Sequence, residues 1–332
     1  MTVTSRRRVS PLALTAMVAL LLALEVAWLA PNLASSGEAL AQIRWPWLLV
    51  AVAAEIASMA TLARLQRTML TAGGVRVPLH RAIAVTLAGT AMSITLPGGS
   101  VASAAYTFNR MRRWGASPAL TAFALAVTAG LSSLALVVVV LETVALDGDD
   151  SGGLAVVPIS TALLAAATAL WIIRRKPDLL LPPATAGLRL VNRVRRFPRN
   201  QGLPGLQSAL GEFVRIKPGV AAWLRGFLFA SVNWAADIAC LMFACQAVGA
   251  HELTATTAVA SYAAGVVGAS LPLLPGGLGV VDAALIAGLS QGGLTVGAAT
   301  AGVVVYRLIS LVLVATVGWI AWWLQSRPAP RL

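Results

Sequence analysis

Leu274-Pro275-Gly276-Gly277-Leu278-Gly279-Val280-Val281-Asp282 interrupts an apolar stretch that otherwise runs from about Val259 to beyond Arg307. Proline removes a backbone donor and glycine admits dihedrals that other residues avoid, so no continuous helix is expected through 275–279. Inside hydrophobic sequence such a break persists only where protein or a watery cavity satisfies the freed backbone groups. Asp282 on the return leg and Arg307 in the middle of the next apolar segment point to that cavity, because ionisable residues at membrane depth face a bundle interior. The candidate substrate-binding residues are therefore Arg307, Asp282, Tyr306, Pro275, Gly276, Gly277 and Gly279.

The whole chain has the composition of a lipid-embedded protein. Its 332 residues are 58% hydrophobic and 11% charged, with a mean hydropathy of +0.82. A soluble domain would be about 25% charged. The formal net charge of +13 would suggest nucleic acid in a soluble chain. Here all of the Lys and Arg except Arg44 and Arg307 fall on one side of the topology below. That is the positive-inside pattern, so the basicity reports orientation and contact with anionic lipid rather than nucleic-acid binding. Two cysteines, Cys240 and Cys245, share one apolar segment, and two histidines, His80 and His251, stand alone at segment ends. Neither pair offers a disulfide framework or a metal site, and no cofactor is implied.

Taken in order, Arg6-Arg7-Arg8 precede a first apolar run, about Pro11 to Ala30, long enough to span a bilayer. Ala39-Leu40-Ala41 resembles a cleavage site, which leaves a signal peptide open as the alternative. A second helix is expected from Trp45 to Arg67, carrying Glu55. Ala82 to Leu96, Pro97-Gly98-Gly99 and Ser100 to Met111 then read as a re-entrant hairpin, with arginines at both ends and two legs too short to cross. Full helices follow at about 118–141, 154–173, 221–248 and 297–324. The fifth of the full helices carries Asp237. A basic cytoplasmic loop, 174–220, separates the third and fourth from the rest, and a second hairpin occupies 255–290. The fold class is all-α and polytopic, with about six full helices, two Pro-Gly-Gly hairpins and both termini cytoplasmic. Residues 1–325 form one transmembrane domain, with repeat one at about 45–141, repeat two at about 221–325, and a disordered tail at 326–332.

The repeat reading rests on Leu96-Pro97-Gly98-Gly99 matching Leu274-Pro275-Gly276-Gly277 at a separation of 178 (275 − 97), with Gly115 and Gly293 at the same offset. Ala53-Ala54-Glu55-Ile56-Ala57 resembles Ala235-Ala236-Asp237-Ile238-Ala239 at 182 (237 − 55). If the first hairpin enters from inside and the second from outside, the halves have opposite topology, as in many transporters. Pro97, Gly98 and Gly99 then join the candidate site, and Glu55 and Asp237 are candidate proton carriers or polar lining. Coincidence in an alanine-rich chain is the competing account.

The Leu274 to Ala284 segment, followed by Val305-Tyr306-Arg307-Leu308-Ile309-Ser310, resembles the family named for the transmembrane region of lysylphosphatidylglycerol synthases. The family pattern is Pro-Gly-Gly-Leu-Gly, two small or apolar residues, an acid, and later Tyr-Arg. Asp282 stands where Glu is usual. The first hairpin departs from the pattern, since Ser100 to Ala105 lacks the family's Gly-Glu pair, and the offset of 178 maps Asp282 and Arg307 onto Ala104 and Ala129. The resemblance implies a flippase-like protein of the bacterial cell membrane, moving an anionic lipid or lipid-linked headgroup between leaflets. It implies no aminoacyltransferase domain, so no enzyme activity is expected.

The physical reading of the site is compatible. The half-helix after Gly277 presents free N–H groups and a positive dipole end to an anion. At 1.5 Å per residue Arg307 lies roughly 17 Å along its helix, near that tip, and Asp282 roughly 10 Å back toward the outside. Expected partners are phosphate-bearing lipids, with cytoplasmic protein contact at Arg189–Arg199 and a homo-oligomer left open. The alternative function is a non-transporting scaffold for envelope lipid or polysaccharide synthesis. An intramembrane enzyme is the third, lacking any visible nucleophile–base constellation.

Overall fold

The computed structural model describes residues 43–147, 203–269 and 275–326, with a few isolated positions between 182 and 198. The expected first helix, the 154–173 helix, the basic loop before Leu203 apart from those isolated positions (in the Arg189–Arg199 run, all but 189, 192, 193 and 198), and the tail after Ser326 lie outside the described residues. The structure as described is all-helical. It comprises α1 (Trp45–Ala72), α2 (Leu79–Thr95), α3 (Gly99–Arg113), α4 (Pro118–Asp147), α5 (Leu203–Arg215), α6 (Val220–Ala247), α7 (Ala255–Ala269) and α8 (Val280–Gln291). After these come α9 (Val296–Arg307), a π-helical stretch at Leu308–Leu313, and α10 (Val314–Ser326).

Four helices among these are long and apolar enough to cross a membrane: α1, α4 over Pro118–Glu142, α6, and the α9–α10 run Val296–Ser326. Leu49 and Ile56 on α1 are 66% and 64% exposed, and Leu224 on α6 is 65%. Apolar side chains so exposed on a long helix are what lipid tails cover, since lipid replaces the core a soluble helix would need. The remaining helices of the hairpin regions are short. α2 and α3 have 17 and 15 residues, and α7 and α8 have 15 and 12. None reaches the roughly 20 residues that a full crossing needs.

The described chain divides into two compact units, and each draws on both halves of the sequence. One contains Ala60–Ile83 and Thr107–Ala235. Its core gathers Leu65, Met69 and Leu70 of α1 with Met111, Leu120, Phe123 and Val127. Phe123 meets Phe213 edge-on at 5.4 Å, and Ser117 hydrogen-bonds Glu212, which ties α5 to α4. The Trp234 indole N–H donates to the Ser132 carbonyl at 2.6 Å. Gly226 permits this approach, since a methyl there would sit 2.9 Å from Leu131 Cδ1.

The other unit contains Met1–Met59, Ala84–Tyr106 and Ala236–Leu332, and it holds every candidate site residue. Its helices approach closely wherever a residue is small. A methyl on Gly318 would lie 2.2 Å from the Leu87 carbonyl oxygen, and one on Gly302 would lie 2.5 Å from Cys245 Sγ. Ala91, Met92 and Trp319 pack together, and the Trp319 indole donates to Thr95 Oγ1 at 3.2 Å. That seats the end of α2 against α10.

Candidate functional site

The second break is a single tight turn, Pro275–Gly277, followed by Gly279 and the start of α8. Gly276, Gly277 and Gly279 have φ of 65°, 67° and 80°. An L side chain in that left-handed region costs about 1–2 kcal/mol per residue, which is why three of five positions are glycine. The turn brings Asp282 back onto its own beginning. Its Oδ2 accepts the Gly279 N–H at 2.8 Å, and its Oδ1 lies 2.6 Å from Arg307 Nε. The expectation that Asp282 sits some 10 Å from the break treats 276–282 as helix. The left-handed glycines curl the chain instead, so the carboxylate is at the break.

Arg307 also donates from Nη2 to the Gly276 carbonyl at 3.0 Å. One guanidinium thus meets both a carboxylate and a backbone oxygen freed by the broken helix. Both side chains are buried, 8% exposed for Arg307 and 1% for Asp282. The π-helical stretch begins at the residue after Arg307, and such wide turns recur at functional sites.

The first break shares one feature, a left-handed glycine after the proline, and closes on itself. Gly98 has φ 65°, and its carbonyl accepts the N–H groups of Val101 and Ala102 at 3.0 and 3.3 Å. A methyl on Gly99 would lie 2.3 Å from the Met92 carbonyl oxygen, so glycine is required for α3 to start against the end of α2. The two breaks meet. A methyl on Gly276 would sit 3.1 Å from the Ile94 carbonyl oxygen and 3.1 Å from Leu311 Cδ1, and Leu278 packs with Ile94 and Leu311.

Tyr306 faces elsewhere. Successive helical residues point roughly 100° apart, so the residue before Arg307 serves a different group. Its hydroxyl donates to Asp237 Oδ1 at 3.0 Å, and that of Tyr262 donates to Asp237 Oδ2 at 2.6 Å. Glu55 interacts electrostatically with Asp237 and is 3% exposed. The two carboxyls come within electrostatic reach because α1 and α6 run antiparallel from a shared end. The Arg44 N–H donates to the Ala247 carbonyl at 2.8 Å, Arg44 reaches His251 at 2.6 Å, and Trp47 stacks on Phe243 at 5.7 Å. Glu55 lies ten residues into α1 from Trp45, and Asp237 lies ten residues back from Ala247. At 1.5 Å per residue both are about 15 Å deep, half the ~30 Å of a hydrocarbon core. Their alignment at an offset of 182 does not place them at equivalent helix positions, because α1 and α6, each of 28 residues, start 175 apart (220 − 45). Antiparallel packing, not equivalence, brings them together.

The candidates thus form two adjoining groups: Arg307, Asp282 and the two breaks, then Glu55, Asp237, Tyr306 and Tyr262. Sequence reasoning missed Tyr262, although it is one of only three tyrosines and stands in an apolar segment. It also missed the capping role of Asp282, signalled by an acid three residues after a glycine that starts a helix. Among the described residues no three His, Cys, Asp or Glu side chains converge as metal ligands, and Cys240 and Cys245 are buried free thiols. Chemically, the first group can hold an anion. A phosphate oxygen pair can take the fork that Arg307 now shares between Asp282 and Gly276, at the positive end of α8.

No curated protein sequence matches the chain. The family model described as the lysylphosphatidylglycerol synthase TM region does, over residues 16–318, and the chain belongs to that family.

Proposed function

We propose that this protein is a flippase-like transporter that moves an anionic lipid, or a lipid-linked anionic headgroup, between leaflets of a bacterial cell membrane. The observation that carries the reading is Arg307, a buried guanidinium held by Asp282 and by the Gly276 carbonyl of a broken helix. A membrane protein keeps a central Arg at a cost of at least about 2.5–3.5 kcal/mol, which a bound anion offsets when it engages the charge. Almost every other side chain along the surrounding helices is apolar, so acyl or prenyl chains can stay in lipid while the headgroup crosses. No enzymatic step is part of this reading.

Alternating access belongs to the proposal. The element order long, short, short, long occurs twice, as α1–α4 and as α6 to α9–α10. We read these as inverted repeats whose re-entrant hairpins enter from opposite faces and meet where Ile94 adjoins Gly276. Both termini are then cytoplasmic. Cysteines at Arg112 and at Gln291, each exposed at the base of one hairpin, should label only from inside and only from outside respectively. Labelling of both from one face would end the inverted-repeat part of the reading.

The functional test uses the purified full chain in detergent with phosphatidylglycerol or phosphatidylcholine. The anionic lipid should raise the melting temperature more than the zwitterionic one, and Arg307→Ala should abolish the difference. Equal stabilisation by the two lipids, unchanged in the variant, would favour a scaffold without transport.

A further inference from the structure

We infer that Glu55 and Asp237 form a proton-binding site, with an exchangeable proton on Glu55 that travels with the anion bound at Arg307. The coupling half of this rests on the transport reading above; the proton site does not. Asp237 has both oxygens engaged by tyrosyl O–H donors from two different helices. Hydrogen bonds donated to both oxygens complement an ionised carboxylate. Glu55 is the opposite case. It is 97% buried, and its Oε2 has no hydrogen-bond partner among the described residues.

The titratable and charged groups facing this pair are Cys240 on α6, Tyr262 on α7, and Tyr306 with Arg307 behind it on α9. Arg307 is already matched by Asp282, and the charged groups named here include no second cation for a second ionised carboxylate. Two interacting buried carboxyls do not both ionise readily, and the tyrosyl donors favour the charge on Asp237, which leaves the proton on Glu55.

Tyr306 makes the link to the anion site, since it holds Asp237 while its neighbour Arg307 holds the break. An anion arriving at Arg307 repels an ionised Glu55, so the occupied site is the protonated one. Emptying the site on the alkaline side frees that proton. The consequence is co-transport, one proton with each anionic headgroup, directed from the acidic to the alkaline face.

Two measurements on the full chain test this. Infrared spectra at neutral pH should contain a protonated-carboxyl carbonyl band that shifts in D2O, disappears in Glu55→Gln and returns in Glu55→Asp. Identical spectra for the native protein and Glu55→Gln would overturn the proton site. In vesicles of phosphatidylcholine holding a trace of fluorescent phosphatidylglycerol, a one-unit pH difference should enrich the labelled lipid in the alkaline leaflet by up to about tenfold. In Glu55→Gln the same pH difference should enrich the labelled lipid in neither leaflet. Movement in the native protein that ignores the gradient would overturn the coupling. Absence of any movement, in the native protein as in Arg307→Ala, would overturn the transport reading and the coupling together, while the infrared band still decides the proton site.

Discussion

The two Pro-Gly-Gly breaks begin alike and end differently. Gly98 and Gly276 have the same φ of 65°, and each follows a proline. At the first break the Gly98 carbonyl is capped by the helix that follows it. At the second, the corresponding Gly276 carbonyl takes its hydrogen bond from Arg307, thirty-one residues away. One turn is therefore complete in its own sequence and the other is completed by a distant side chain. A break that relies on a removable partner is the one that can exchange that partner for a ligand.

The strongest way to break this contrast is to remove Arg307. Arg307→Ala leaves Asp282 buried without its cation and Gly276 without its donor, a loss of about 3–5 kcal/mol. Unfolding in detergent should show it, whereas Ser100→Ala, at an exposed position directly after the first break, should cost under a third as much. The paired variant Arg307→Met with Asp282→Asn should recover most of the loss, because the asparagine keeps an acceptor for the Gly279 N–H. Arg307→Met with Asp282→Ala should recover about 1 kcal/mol less, the worth of the missing cap. Equal recovery by both would remove the capping role from Asp282.

Glycine substitution sharpens the contrast at the turn itself. Gly98→Ala and Gly276→Ala share the left-handed penalty of about 1–2 kcal/mol. A methyl on Gly98 meets none of the described residues within 4 Å, while one on Gly276 meets Ile94 and Leu311 at 3.1 Å. Gly276→Ala should therefore be worse by about another 1 kcal/mol from crowding. Identical melting temperatures would mean that the two breaks separate easily.

The smallest effect belongs to Gly115 and Gly293, which end the two hairpins with φ of 90° and 102° and open space around both. Alanine at either should cost about 1 kcal/mol, equal within a few tenths, because backbone conformation alone is involved. Any large inequality would show that the hairpin bases differ as the tips do.

Much of the architecture was legible because it depends on local chemistry. Runs of apolar residues set helix existence, and the observed bounds differ from the expected ones by a few residues. α1 continues to Ala72, past the Arg67 at which the sequence suggests a stop, and Arg67 donates from Nε to the Val77 carbonyl beyond the helix end. The breaks at Pro97 and Pro275 were legible for the same reason, since proline and glycine act on their own dihedrals. Glu55 and Asp237 were recognisable as buried acids, yet nothing marked them as neighbours. α1 and α6 are apolar on nearly every face, so no amphipathic stripe indicates which side turns inward.

The sequence by itself determined that this chain is a helical membrane protein with two Pro-Gly-Gly breaks between short helices and an Arg and an Asp beside the second. These are consequences of hydropathy and of dihedral preferences acting over a few residues. Only the tertiary structure decided that Arg307 holds the Gly276 carbonyl, that Tyr306 and Tyr262 converge on Asp237, and that Glu55 joins them. Those contacts link residues from 25 to 182 positions apart, through helix faces whose orientation is fixed by packing at glycines such as Gly302 and Gly318. Apolar sequence says that a helix lies in lipid, but it does not say which neighbour each side chain meets there.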